Sequence, residues 1–149
     1  MTKFDVGEAE RGWNIAKGAI ASSLYSVVVL DELNPVLDLG MLDINEVVDS
    51  LQNRPDGLEI IITGRAAPPS LVRISQLHSE MRPRLIGDSA ELNKQSSSSG
   101  GIEIYTGEGK GKSTSALGKA LQAIGKGISQ DKSHRVLICL LYTSDAADE

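Results

Sequence analysis

The chain has 149 residues, 40% of them hydrophobic and 23% charged, with a formal net charge of −5. That composition is typical of one globular domain with a core, while the acidic balance and the 3% aromatic content exclude a broad nucleic-acid-binding surface. No apolar run approaches the ~20 residues of a membrane span, and the single cysteine, Cys139, excludes an internal disulfide.

Apolar spacing predicts alternating helices and strands in the first part of the chain: helices over 9–24, 43–51 and 68–76, and strands over 26–32, 58–65 and 77–82. The runs "SVVVL" and "LEIII" are continuously apolar, which predicts strands buried on both faces. Asp43 and Glu46 have the spacing of a capping box at the start of a helix.

The second part begins with residues 87–101, "GDSAELNKQSSSSGG", which have little apolar content and are predicted to be a flexible linker. A fourth strand is predicted over 102–107 and a fifth from residue 134. A helix is predicted over 113–125, stopped by Gly125 and Gly127. Its predicted inward-facing residues are Ala116, Leu117, Ala120, Leu121 and Ile124. Strands that alternate with helices in this way predict a parallel α/β sheet.

Residues 106–114, "TGEGKGKST", join a predicted strand to a predicted helix through a glycine-rich loop. Glycines allow positive φ and close approach to an anion, and the helix N-terminus offers N–H groups to phosphate. Lys112 would add a positive charge against phosphate oxygens, and the Ser113 hydroxyl could coordinate Mg²⁺. The loop has three residues between Gly107 and Gly111, where the usual motif has four, so a fortuitous glycine- and lysine-rich turn stays as the alternative.

Two further groups are predicted at the carboxyl edge of the sheet, where ligands of parallel α/β proteins bind. Asp31 and Glu32 follow one buried strand and could hold Mg²⁺ directly or through water, or could simply cap the next helix. Arg65 ends the next strand and could brace a polyphosphate or form a surface salt bridge. Thr63 is interpreted as structural.

Other single residues are given structural interpretations: Trp13 as a core residue, and His78 and His134 as surface or strand-end residues without metal partners. Residues 139–149, "CLLYTSDAADE", look like the translation of a sequencing adapter. On that interpretation the chain is a fragment cut at about residue 138.

Together these stretches resemble the phosphate-loop type of corrinoid (cob(I)alamin or cob(I)yrinic acid a,c-diamide) adenosyltransferase. The resemblance is carried by "GIEIYTGEGKGKSTSALGKALQAIG", "VVVLDELN", "LGMLDINEVVDSLQNRPDGLEIIITGRAAPPSL" and "HSEMRP". The shortened loop preceded by threonine is itself typical of that family. The resemblance implies a three-layer, RecA-like fold with about five parallel strands.

The resemblance also implies a reaction, in which a Co(I) corrinoid attacks the 5′ carbon of ATP and releases triphosphate. ATP would lie in the loop in reversed orientation, with the loop and Mg²⁺ stabilising the departing triphosphate. Lys112 and Glu32 are the implied catalytic residues, with Ser113 and Asp31 as metal ligands. The implied ATP-binding residues are Thr106, Gly107, Glu108, Gly109, Lys110, Gly111, Lys112, Ser113, Thr114 and Arg65.

The order of segments departs from the family, because there the loop strand precedes the "LDEL" strand. Residues 1–86 therefore resemble the C-terminal part of such a domain and residues 102–138 the N-terminal part, in a permuted chain or a tandem-repeat junction. In either case the loop strand is expected between the "IITG" and "HSEM" strands. The 15-residue linker can span ~50 Å, which suffices for that connection.

Three functions stay open on the sequence: an adenosyltransferase-type ATP site with impaired turnover, a generic phosphate-loop ATPase or kinase with Glu32 as base, and a non-catalytic nucleotide-binding fragment. The expected small molecules are ATP, Mg²⁺ and a corrinoid. A homodimer, a missing repeat copy and a reductase are the partners left open, and no nucleic acid or membrane is expected. A cytoplasmic location is expected, with an organelle left open because the N-terminus is interpreted as truncated.

Overall fold

The computed structural model describes residues 3–82, 100–129 and 135–141. The elements in chain order are α1 (Lys3–Ala21), β1 (Val27–Asp31), α2 (Leu33–Asp38), α3 (Ile44–Gln52), β2 (Glu59–Thr63), α4 (Pro69–Ile74), β3 (Leu77–Glu80), β4 (Ile102–Thr106), α5 (Lys112–Ser129) and β5 (Val136–Leu140). The predicted linker lies outside the described residues except for Gly100 and Gly101, and so does His134.

The five strands form one parallel sheet in the order β3-β4-β2-β1-β5. The prediction of a five-stranded parallel α/β sheet is therefore confirmed, and so is the position of the loop strand β4 between β2 and β3. Because all strands run in the same direction, β1, β2 and β4 end at one edge of the sheet. Their last residues are Asp31, Thr63 and Thr106.

Helices cover both faces of the sheet, which makes three layers. One core cluster joins alternate strand residues, among them Leu30, Ile62 and Ile104, to buried residues of α1, α2, α3 and α4. The other cluster joins Val29, Ile61 and Tyr105 to α5. Alternate strand residues point to opposite faces, so the apolar runs of β1 and β2 supply both clusters, as buried parallel strands do.

Helix α5 corrects two predictions. It runs through Gly125 and Gly127 to Ser129, because a glycine costs a helix only about 1 kcal/mol and does not by itself end it. Only Ala116 and Ala120 of the predicted inward face are buried, since their small side chains let the helix lie close to the sheet. The other three predicted inward-facing residues are exposed by 36–61%: Leu117, Leu121 and Ile124.

The first layer of helices departs from prediction in smaller ways. Asp43 caps α3 by accepting from the Asn45 N–H at 2.8 Å, but Glu46 does not complete a capping box. Instead the Glu46 carboxylate contacts Trp13 Nε1 at 3.3 Å and Lys17 Nζ at 2.6 Å, which ties α3 to α1. Trp13 is buried, as predicted, and the short helix α2 was not predicted.

None of the described helices is long and apolar enough to cross a membrane.

Candidate nucleotide-binding site

Two glycines of the loop between β4 and α5 lie too close to the backbone after β3 to carry a side chain. Gly107 has φ of +99°, and a Cβ there would lie 2.4 Å from the Met81 carbonyl oxygen. A Cβ on Gly109 would lie 2.8 Å from the same carbonyl, whose oxygen accepts from the Gly109 N–H at 2.7 Å. The loop therefore packs directly against the backbone that follows β3, and a side chain at either position would push it away.

Lys112 reaches back into the loop from the first residue of α5. Its Nζ donates to the carbonyl oxygens of Gly107 and Gly109, both at 2.8 Å. The ammonium thus lies at the concave side of the loop, held by backbone atoms rather than extended into solvent. Ser113 and Thr114 follow it in the first helical turn, and both are exposed, as are Lys110 and Gly111.

The two acids after β1 adopt different backbone conformations. Asp31 ends the strand, and Glu32 has φ of 58° and ψ of 31°, a left-handed conformation that is uncommon for a residue with a Cβ. Burial and the neighbouring Asp31 carboxylate raise the pKa of Glu32, while the positive charges of Lys112 and Arg65 oppose that rise. Glu32 therefore lies within electrostatic reach of both predicted phosphate-binding cations.

Arg65 lies in the turn after β2 and points to the loop. Its Nη1 is 3.6 Å from Oε2 of Glu108, and the two side chains are 56% and 68% exposed. The structure therefore brings the turn after β2 and the loop after β4 together at the sheet edge.

Two buried threonines, Thr63 and Thr106, make hydrogen bonds at the site that the sequence did not predict. The Thr63 hydroxyl donates to Asp31 Oδ1 at 2.5 Å and accepts from the Glu32 N–H at 3.0 Å. The Thr106 hydroxyl, expected to contact nucleotide, accepts from the Ala67 N–H at 3.2 Å and holds the turn that carries Arg65. A polar residue at the last, buried position of an apolar strand was the signal that could have shown this.

Asn34 is a further residue that supports the site and that the sequence did not predict. It is fully buried, and its Nδ2 donates to the Gly64 carbonyl at 3.1 Å. Gly64 has φ of +125°, and a Cβ there would lie 2.4 Å from Pro35 Cδ. The turn after β1 and the turn after β2 are thus packed together with no room for a side chain between them.

The donors at this edge fit Mg²⁺ better than they fit a softer metal. Asp31 offers a carboxylate and Ser113 a hydroxyl, and among the described residues no group of three or more His, Cys, Asp or Glu side chains could hold a metal. Mg²⁺ is commonly bound through one or two protein oxygens, several waters and substrate phosphates, so two protein donors suffice for it.

The protein is an α/β protein with a parallel sheet, in which an internal strand turns through a glycine-rich, lysine-bearing loop into a helix, and this arrangement is consistent with the phosphate-loop type. The sequence matches the family "ATP:corrinoid adenosyltransferase BtuR/CobO/CobP" over residues 1–85 and 98–140. The chain belongs to this family.

Similar proteins agree with that assignment. The chain is 60% identical to an uncharacterized protein of Nostoc sp. (strain PCC 7120) over 153 aligned residues, which cover 99% of the chain and 39% of that protein. It is 35% identical to a corrinoid adenosyltransferase of Pseudomonas aeruginosa over 77 residues, 52% of the chain and 38% of the relative. The corresponding enzyme of Escherichia coli K12 is 34% identical over 79 residues, 53% of the chain and 40% of the relative.

The chain thus spans about two fifths of the length of the curated relatives it matches. No solved structure matches it.

Proposed function

We propose that this chain forms the ATP-binding part of a corrinoid adenosyltransferase, which transfers the 5′-deoxyadenosyl group of ATP to Co(I) of a corrinoid and releases triphosphate. The observation that carries the proposal is the position of Lys112, whose ammonium lies inside a glycine loop at the edge where Asp31, Glu32 and Arg65 converge. Membership of the family supports ATP and a corrinoid as the two substrates.

The proposed roles follow from where the groups lie. A triphosphate entering the loop would take over the Lys112 ammonium from the Gly107 and Gly109 carbonyls, and would meet the N–H groups at the start of α5. Arg65, Lys110 and Thr114 border the same loop and would add positive charge and a hydroxyl. Thr106, Gly107, Glu108, Gly109 and Gly111 shape the loop.

Asp31 and Ser113 would hold Mg²⁺, which would neutralise charge on the departing triphosphate when bound. In the reaction the Co(I) electron pair forms a bond to C5′, and the bond from C5′ to the triphosphate oxygen breaks. Triphosphate leaves with the electron pair of the broken C5′–oxygen bond, so no proton has to move. The protein's contribution is therefore positioning and stabilisation of negative charge, which the Lys112 and Arg65 cations suit.

A second candidate, a phosphate-loop ATPase or kinase, is favoured by one observation. Burial and Asp31 raise the pKa of Glu32, and a carboxylate with a raised pKa is a better general base for water or a hydroxyl. The two candidates differ in which bond of ATP breaks and hence in their products.

Calorimetry with MgATP tests the binding step. We expect micromolar affinity in the wild-type chain, with a loss of about 100-fold in Lys112→Ala, because a charge-assisted contact to phosphate contributes roughly 1.5–3 kcal/mol. Lys126→Ala removes the same charge from the far end of α5 and is expected to leave the affinity within about twofold. Equal affinities in wild type and Lys112→Ala would contradict the proposal.

Product analysis tests the reaction. ATP and a chemically reduced corrinoid are incubated with the protein, and the phosphate products are separated. Triphosphate together with a cobalt–carbon bond supports adenosyl transfer, whereas ADP with orthophosphate would assign an ATPase and ADP with a phosphorylated acceptor a kinase.

A further inference from the structure

The end of β2 carries a buried hydroxyl that the proposed chemistry has not used. Thr63 is fully buried, and it is the last residue of its strand. Its neighbour on one side is β1, whose residues Leu30 and Asp31 end beside it in the parallel ladder. A hydroxyl at this position can therefore reach across to the turn after β1.

Both hydrogen-bonding functions of that hydroxyl are directed to the acidic pair. The hydroxyl donates to Asp31 Oδ1, and the two oxygens are 2.5 Å apart. The oxygen accepts from the Glu32 N–H at 3.0 Å. A hydroxyl that accepts from an amide donates more strongly, so the two bonds reinforce each other.

The second bond also supports an unusual backbone conformation. Glu32 is left-handed, with φ of 58°, which costs a residue with a Cβ roughly 1–2 kcal/mol. The hydrogen bond from its N–H to Thr63 compensates part of that cost. The Thr63 hydroxyl thus contacts both the Asp31 side chain and the turn that follows it.

We propose that Thr63 is the positioning residue of the site: it occupies Oδ1 of Asp31 and fixes the turn at Glu32, so that Oδ2 of Asp31 is presented to Mg²⁺ on the bound triphosphate. This inference rests on the proposed function, since it assumes that MgATP binds at the loop. Outer hydrogen bonds of this kind orient carboxylate ligands, and their loss typically weakens metal binding about 10- to 100-fold.

Substitutions of Thr63 can remove its hydroxyl with little change in the size of the side chain. The adjacent Gly64 packs against Asn34 and Pro35, which holds the end of β2 against the turn after β1. Thr63→Val keeps the size and the β-branched shape but removes the hydroxyl. Thr63→Ser keeps the hydroxyl. Thr63→Cys, whose thiol is a weak donor, serves if Thr63→Val does not fold.

The test is calorimetric titration of ATP with excess Mg²⁺ and again with chelator, so that the strengthening by Mg²⁺ is measured for each variant. Wild type and Thr63→Ser are expected to show the full strengthening. Thr63→Val is expected to lose about 10- to 100-fold of affinity with Mg²⁺ while changing less than about twofold in chelator. Thr63→Cys is expected to lie between the two.

Thr106→Val is the matched control, because it removes from the end of the neighbouring strand β4 a buried hydroxyl whose hydrogen-bond partner is the Ala67 N–H rather than an acidic residue. It is expected to weaken binding equally with and without Mg²⁺. If Thr63→Val lost equal ATP affinity with and without Mg²⁺, or if Mg²⁺ strengthened its ATP binding as fully as in wild type, the inference would be overturned. The proposed function would remain intact. A wild-type chain whose ATP affinity ignores Mg²⁺ would overturn the inference too. A wild-type chain that binds no ATP would overturn both, and only the wild-type titration gives that result.

Discussion

Arg65 and Glu108 face each other across the mouth of the glycine loop, with 3.6 Å between Nη1 and Oε2. One is the cation expected to brace a polyphosphate, and the other is an acid within the phosphate-binding loop itself. The Glu108 carboxylate is therefore a neighbour of the guanidinium, and a triphosphate bound there would have to compete with this carboxylate and would be repelled by its charge.

Replacing Glu108 should consequently tighten nucleotide binding. We expect Glu108→Gln to bind MgATP about two- to fivefold more tightly than wild type at low salt, since an exposed ion pair contributes roughly 0.2–1 kcal/mol. The gain should shrink as salt is added, because exposed charges are screened. Calorimetry at two ionic strengths measures both effects.

Asp56→Asn provides the control for that change. It removes one negative charge from the exposed turn before β2, at the opposite edge of the sheet, and should leave the affinity nearly unchanged. Weaker binding by Glu108→Gln would mean that Glu108 assists the ligand instead of competing with it.

A methyl group on Gly107 tests whether the loop geometry is required. Gly107→Ala places a Cβ 2.4 Å from the Met81 carbonyl oxygen at a φ of +99°, so the loop must move. We expect the variant to show no measurable ATP binding by calorimetry. We also expect its free energy of unfolding to fall by more than about 1 kcal/mol, which thermal unfolding would show as a lower unfolding temperature.

Gly118→Ala is the natural comparison for the loop variant. Gly118 lies in the interior of α5, and a Cβ there meets no atom within 4 Å. Alanine should stabilise the helix by about 0.5–1 kcal/mol and leave ATP binding as it is. Equal binding by both variants would show that the loop does not hold the nucleotide.

How much of the site the sequence could predict depended on the kind of interaction. The placement of the loop glycines, Lys112, Asp31, Glu32 and Arg65 at one edge could be predicted, because parallel strands bring their carboxyl ends to the same edge of a sheet. The contacts of Thr63 and Asn34 reach across more than 25 residues to neighbouring turns. A threonine at the buried last position of an apolar strand signals a hydrogen-bonding role, but the local sequence does not show which group it contacts.

The same limit applied to α5. The spacing of the apolar residues predicted a helix with one apolar face, but it did not show which residues of that face would contact the sheet. Ala116 and Ala120 face the sheet because small side chains allow close packing over Tyr105 and Ile61, and this leaves the leucines at the side. Both glycine stops were wrong for a related reason, since packing against the sheet outweighs a modest local penalty.

Glu32 predicts a pH dependence of stability. Burial and Asp31 raise its pKa above the ordinary value of 4.5, so the folded protein holds this proton more tightly than the unfolded chain does. The stabilising contribution is complete below 4.5 and is lost as the pH rises through the folded-state pKa, because ionisation is then less favourable in the folded protein. The Glu32 carboxylate thus lowers stability at neutral pH relative to a neutral side chain.

Glu32→Gln should therefore unfold at a higher temperature than wild type at about pH 7, and the difference should vanish at about pH 4. Thermal unfolding followed by circular dichroism in chelator measures this without bound metal. Glu10→Gln, at an exposed position on α1, corrects for the loss of one negative charge. A lower unfolding temperature of Glu32→Gln at neutral pH would show that Lys112 and Arg65 stabilise the carboxylate more than burial and Asp31 oppose it.

Substitutions on α5 separate its buried side from its exposed side. Ala120 is 2% exposed against the sheet, whereas Leu121 is 61% exposed. Ala120→Leu should destabilise the fold by about 1–3 kcal/mol, because the added methylenes have no space between helix and sheet. Leu121→Lys should change the unfolding free energy by less than about 0.5 kcal/mol, as surface substitutions do. Chemical denaturation of the two variants measures both, and a large loss of stability in Leu121→Lys would mean that this apolar side of α5 is covered in the folded protein.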